Sequence, residues 1–264
     1  LKTPFVNPRF LKVVADAYER DLVFHGVFNG VTLEMVVPSM VTRKNGMSKI
    51  HGLPIRYIGP VTSNHANLSS QLSALNSSLR GDPRMLGATY TLPPKYKSGT
   101  YSNSLHTETL STMILPLNKF SEDGIPTNIQ IRKQEGIRAA KKRGLKVANA
   151  TEDEINELMP QILDKAYNRT SNEFSPYPDK LPGLLWAKFH NDPNFHFLAA
   201  RKDDTPVGLL VALTDENSAY SLWFGKDYDP EKPDPLKVKN FAVNDSLIVA
   251  MASRAKELGL SSYD

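Results

Sequence analysis

Apolar and polar positions along the chain switch repeatedly between the period of a helix and that of a strand. Phe10, Leu11, Val13, Val14, Ala17 and Tyr18 recur at helical spacing, with Asn7 placed to cap and Pro8 in the first turn. Residues 22–28 and 31–40 are strand-like runs joined by Asn29-Gly30, the dipeptide that best tolerates the positive φ angles of a tight hairpin. Residues 53–61 predict another strand and 68–79 a helix, with further strands over 85–92 and 109–117. A polar stretch, 121–127, precedes a basic segment.

Periodicity sharpens from Thr151 onward. Ile155, Leu158, Met159, Ile162, Leu163, Ala166 and Tyr167 form one unbroken apolar stripe, and Thr151 with Glu154 three residues on makes a capping box. A second helix follows over 181–189, then strands over 195–201, 206–213 and 219–225. The middle strand, Val207 to Leu213, is apolar on both faces, as a centrally placed strand requires. A polar, Pro-rich loop leads to a helix over 245–258, ended by Gly259, and 261–264 begin another strand. Both halves run helix, strand, tight turn, strand, strand, helix, the turns being Asn29-Gly30 and Asp203-Asp204. Two similarly built domains, 1–145 and 146–264, are the economical reading.

Composition narrows the chemistry. With no cysteine there is no disulfide, thiolate metal site or cysteine nucleophile. No segment approaches the roughly 20 apolar residues that span a bilayer, and the start is no signal peptide, so a cytoplasmic location is expected. The net charge of +4 is concentrated: between Arg132 and Lys146 stand seven basic residues against one acid, Glu135. One local patch, rather than a basic surface, is expected, and DNA is not an expected partner. There is no G-x-S-x-G, P-loop, G-x-G-x-x-G or H-E-x-x-H motif, and the six histidines show no metal-ligand spacing.

The segment Ile137-Arg138-Ala139-Ala140-Lys141-Lys142-Arg143-Gly144-Leu145 resembles the I-R-x-A-x-K-x-G run that precedes the second domain of FemAB-like members of the GNAT acyltransferase superfamily. Ala166-Tyr167-Asn168-Arg169, residues 197–201, 206–210 and 220–225, and 255–264 match the family's later elements in type and order. The resemblance covers about residues 130–264, with a fainter fit at Pro4 to Leu11 and at Tyr57-Ile58-Gly59-Pro60. It implies an α/β (α+β) protein of two tandem GNAT-like domains, each a mixed central sheet flanked by helices. Family members continue past the equivalent of Tyr263-Asp264 with a Gly-containing turn, another helix and closing strands, one of which brings a basic residue near the acyl centre. On that comparison the chain is expected to be truncated at its C-terminus.

The implied activity is an N-acyltransferase that moves an aminoacyl or acyl group onto an amine of a peptidoglycan precursor or polysaccharide. The donor is aminoacyl-tRNA or acyl-CoA, with no tightly bound cofactor and no metal. The acceptor is a small molecule or glycan precursor bearing phosphates, and tRNA is a possible partner. Alternatives are an acetyl-CoA-dependent GNAT N-acetyltransferase and a non-catalytic nucleotide- or RNA-binding relative. The R-x-x-G-x-G/A turn that holds the coenzyme A pyrophosphate in ordinary GNAT enzymes is absent between Gly225 and Leu247, which lowers acetyl-CoA as donor. Arg138, Lys141 and Lys142 share one helix face, and form either a phosphate clamp or a solvated helix end whose cations suit the dipole. Tyr167 packs or lines the site, and Arg169 beside it reaches an acceptor phosphate or carboxylate. Tyr57 and Trp223 are cleft candidates, each with half-buried strand packing as the plain alternative. Asp264 and Glu108 are the candidate proton acceptors, both at strand ends.

Overall fold

The computed structural model describes residues 4–51, 59–62, 67–88, 114–171, 176–227, 233–234, 236 and 241–264. The chain divides into two compact units, Leu1–Thr112 and Met113–Asp264.

The first unit opens with α1 (Pro8–Ala17), capped by Asn7, whose side chain accepts from the Arg9 backbone N–H at 2.9 Å. There follow β1 (Asp21–Asn29), β2 (Thr32–Lys44), β3 (Met47–His51), β4 (Val61–Thr62), α2 (Leu68–Arg80) and β5 (Met85–Ala88). The sheet runs β1-β2-β3-β5, with β4 on β2, and is antiparallel except for the parallel β3–β5 pair. Leu68, Leu72 and Leu75 of α2 pack on Met35 and Val37 of β2.

The first hairpin forms as expected, but its turn sits one residue later. Asn29 pairs with Thr32, so the loop is Gly30-Val31, and Gly30 alone takes a positive φ, 60°. Glycine at the first central position suits a II′ turn, which needs one positive φ rather than two. The Asn-Gly turn proper lies at Asn45-Gly46, with φ of 52° and 76°, between β2 and β3. Of the strand expected over 53–61, residues 52–58 lie outside the described residues and only β4 is seen. Residues 89–113 are likewise outside them.

The second unit holds β6 (Leu115–Pro116), α3 (Ile131–Lys142), β7 (Leu145–Asn149), a π-helical turn (Glu154–Leu158) running into α4 (Met159–Ser171), α5 (Lys180–Phe189), β8 (Phe195–Lys202), β9 (Thr205–Thr214), β10 (Ser218–Lys226), α6 (Val243–Glu257) and β11 (Ser262–Tyr263). Its sheet order is β6-β11-β10-β9-β8-β7, and β10–β11 is the parallel pair. The capping box forms: the Thr151 N–H donates to Glu154 Oε2 at 2.7 Å, and the Glu154 N–H to Thr151 Oγ1 at 3.3 Å. Glu154 also receives both prongs of the Arg201 guanidinium, at 2.7 and 2.6 Å, which ties the helix start to β8.

Two features differ from the sequence reading. β7 was not anticipated: it is five residues long and follows α3 across a single left-handed residue, Gly144 at φ 86°. The unit boundary falls between Thr112 and Met113 rather than at 145, because α3 buries Ile137 against Val249 and Ala140 against the α6 core. The basic helix is thereby built into the second unit.

Both faces of this sheet are covered at the β9–β10 end. A Cβ on Gly208 would stand 2.4 Å from Val243 Cγ1 of α6, and one on Gly225 would stand 2.4 Å from Ile162 Cγ2 of α4. Leu209 is the cross-strand partner of Gly225, so Gly208 and Gly225 present to opposite faces. Gly208→Ala would also meet the Gly225 backbone oxygen at 2.8 Å, which cannot move without breaking the ladder. This substitution is expected to cost about 1–3 kcal/mol, read as a lower urea midpoint. Gly87→Ala, with nothing within 4 Å, is the control and is expected to leave the midpoint unchanged.

Candidate functional site

The feature that organises the second unit's surface is an irregularity in β10. Ser221 pairs with Ala212 and Trp223 with Val211, so Leu222 is an extra residue without a partner in β9. One inserted residue reverses the face taken by every side chain after it. Before the bulge, Ala219 joins the α6-side core, and the Ser221 hydroxyl shares a short hydrogen bond with that of Tyr263, itself in that core. After it, Trp223 and Gly225 turn to the α4 side.

The reversal builds an aromatic wall from three separate segments. The Trp223 ring meets Tyr177 edge-on at 5.1 Å, and Tyr177 meets Tyr167 of α4 edge-on at 5.8 Å. The two tyrosine hydroxyls lie 3.4 Å apart. Trp223 is buried while both tyrosines keep partial exposure, so the wall has a dry base and a wetter edge. Lys165 of α4 pairs with Asp227 just past β10 at 2.5 Å and pins α4 over this face.

The lower part of β10 is tied to β11. The Asp264 N–H donates to the Ala219 carbonyl at 2.9 Å, and the Ser221 N–H donates to the Asp264 carbonyl at 2.8 Å. Asp264 is thus fixed beside the residue that enters the bulge. Tyr220 donates its hydroxyl to Asp215 at 2.9 Å; burial first, and Asp215 second, push its pKa up to about 12. It therefore stays a neutral donor throughout the physiological range.

Residues 130–264, which carry all of these features, match the acetyltransferase (GNAT) domain family. The chain belongs to this GNAT family. It is an acyltransferase by membership, and its two mixed sheets agree with tandem GNAT-like domains. No curated protein matches the sequence. Among solved structures, FemX is 12% identical with a TM-score of 0.62, over 96% of this chain and 81% of that one. The C-terminal domain of a putative lysylphosphatidylglycerol synthetase from Agrobacterium fabrum is 13% identical with a TM-score of 0.52, over 97% and 77%. L-PGS from Bacillus licheniformis is 13% identical with a TM-score of 0.50, over 97% and 77%. At such identities the likeness is one of fold.

Within this GNAT domain the expected site residues separate. Tyr167, Trp223 and Asp264 come to β10 and its neighbours. Arg138, Lys141 and Lys142 lie on α3, which packs on α6 and so on the opposite face of the sheet from the aromatic wall. Arg138 Nε donates to Asp123 at 2.7 Å and Lys141 Nζ to the Asp123 carbonyl at 3.2 Å, so both hold the 121–125 loop against the helix. Lys142 is exposed. Tyr57 and Glu108 lie outside the described residues, as does the side chain of Arg169. Three side chains at the site went unnoticed in the sequence: Tyr177, Lys165 and Asp227. Only Tyr177 carried a signal, standing between Pro176 and Pro178, which fix the backbone on either side of it. Among the described residues no group of acidic and imidazole side chains could hold a metal, and no helix is long and apolar enough to cross a membrane.

The loop tie has a titration signature. Arg138, and after it Ser121, hold the Asp123 carboxyl down at about 2. A carboxyl depressed in the folded state contributes stability that is present above its ordinary pKa and lost as pH falls toward the folded value, here between about 4 and 2. Side-chain NMR of Asp123 is expected to show a midpoint near 2, moving up toward the ordinary carboxylate range in Arg138→Gln; an unmoved midpoint contradicts the tie.

Proposed function

We propose that this GNAT acyltransferase transfers an aminoacyl or acyl group to an amine of a peptidoglycan precursor or polysaccharide, as FemAB-like enzymes do. The observation that carries the reading is the bulge at Leu222, with Asp264 fixed on one side of it and the Tyr167–Tyr177–Trp223 wall on the other. The fold likeness to FemX supports it.

In direct transfer the amine nitrogen attacks the acyl carbonyl carbon, the new C–N bond forms, and the C–O bond of an ester or the C–S bond of a thioester breaks. The amine proton leaves to a base, and the departing oxygen or sulfur gains a proton. We assign the base to Asp264, because its backbone is anchored at both Ala219 and Ser221. The aromatic wall orients the acyl group and keeps water from the ester. The disrupted ladder at Leu222 is the place where backbone donors can turn toward the carbonyl oxygen as it becomes negative.

Polyanion contacts fall to the basic helix, whose expected trio is exposed throughout, with Arg138 and Lys141 also bound to the Asp123 loop. Aminoacyl-tRNA is favoured as donor. Asp245, in the first turn of α6 and held by Lys133 at 3.0 Å, already places a negative charge at that helix end, where a pyrophosphate would meet a like charge. The family's acetyltransferase designation supports a second reading, in which the donor is acetyl-CoA.

The test offers the chain aminoacyl-tRNA or acetyl-CoA, with a nucleotide-linked muropeptide carrying a free lysine amine. Transfer from aminoacyl-tRNA is the expected result; transfer from acetyl-CoA alone would select the second reading. Tyr177→Ala is expected to lower kcat/KM by about tenfold or more with the melting temperature held, and Lys142→Glu to weaken the salt-dependent part of donor binding. No transfer from either donor, or full activity in Tyr177→Ala, would overturn the proposal.

A further inference from the structure

The first unit holds a cavity of about 400 Å³ that the acyl-transfer reading leaves unused. Its origin lies in the sheet. Val41 pairs with Asp21 and with Ile50, and Arg43 pairs with Ser48, so these residues share the face on which α2 packs against Val37. Helix α2 ends at Arg80, and the chain then turns through Gly81–Arg84 into β5. Beyond the helix end the sheet face is left as a hollow whose floor includes Val23, Val41, Ile50 and Met85.

The charged lining residues are Arg43, Arg84 and Asp82, and each guanidinium is paired with a carboxylate. Arg43 gives Nη1 to Asp21, and Arg84 gives Nε to Asp82 at 3.2 Å. A guanidinium carries five N–H donors in a rigid fork, and these pairs use one nitrogen of each. The other nitrogens make no hydrogen bond among the described residues, and both guanidinium groups remain largely exposed beside their carboxylates. His25 also lines the cavity, and its Nε2 is buried and has no hydrogen-bond partner among the described residues. Buried polar atoms are nearly always paired, so such an orphan in the wall of a hollow marks a place for a group not yet present. Burial also lowers the His25 pKa, which leaves the ring neutral and able to bond an uncharged or anionic oxygen.

We infer that this cavity binds a small amphipathic anion, a carboxylate or phosphate head on a short apolar stem, with the stem against Val23, Val41 and Met85 and the head between Arg43 and Arg84. A cation of the same shape would meet two guanidinium groups against the single lining carboxylate of Asp82, which Arg84 already holds, and be disfavoured. The site lies wholly within the first unit, so its success or failure is independent of the acyl-transfer assay.

The test follows the His25 ring protons of the whole chain by NMR, assigned with His25→Asn, during titration with hexanoate, hexyl phosphate and hexylamine. Saturable shifts with one or both anions and none with the amine are expected, and whichever anion binds more tightly identifies the head group. Arg43→Gln with Arg84→Gln is expected to weaken anion binding by about tenfold or more. Met85→Trp, which fills the hollow and keeps both arginines, is expected to abolish the shifts and so separates binding inside the cavity from attraction to its rim. Equal shifts with hexylamine, no saturable shift with either anion, or unweakened binding in either variant would overturn the inference.

Discussion

Two helices approach one end of the β9–β10 pair from opposite faces, and that double approach is the constraint on which the second unit depends. It is possible only because Gly208 and Gly225 carry no side chain where Val243 and Ile162 come down. The candidate site hangs on the helices so placed. Helix α4 brings Tyr167 and Lys165 over the sheet, and α6 provides the platform that carries the basic helix α3. The bulge at Leu222 completes the separation by sending Ser221 toward α6 and Trp223 toward α4. A strand of unbroken period would have kept both on one face and left Tyr177 without its partner.

Electrostatics serve the same frame before they serve any ligand. Arg201 grips Glu154 with both prongs where the side chains are only 20% and 10% exposed, and Glu154 simultaneously caps the helix start. Arg138 and Lys141 look from the sequence like a free clamp, yet the acidic loop at Asp123 has claimed them. A charge run on one helix face records only that its cations are accessible, since the partner that neutralises them can come from a loop fifteen residues away.

Where local rules decide, the sequence was readable. The stripe from Ile155 to Tyr167, the capping box, the apolar run of β9 and the left-handed Asp203-Asp204 turn each follow from nearest-neighbour chemistry and formed as expected. The GNAT assignment rested on a run of such elements in order, and the family match over residues 130–264 bears it out. What the sequence concealed depends on pairing across space. Nothing local marks Leu222 as an extra residue, because its bulge exists only relative to β9. The unit boundary was displaced because Ile137 and Ala140 bury against a helix a hundred residues later. The first hairpin slipped by one residue because register, rather than the Asn-Gly pair, chose the turn.

The most direct test of the central claim is where an acyl donor lands on the second unit. Backbone amide NMR of the chain, titrated with a non-hydrolysable aminoacyl-nucleotide analogue or with acetyl-CoA, reads that position residue by residue. The account expects the Ser221, Leu222, Trp223 and Tyr177 amides to shift together and to saturate at one affinity. Saturable shifts elsewhere on the chain, with Ser221, Leu222, Trp223 and Tyr177 unmoved, would contradict it.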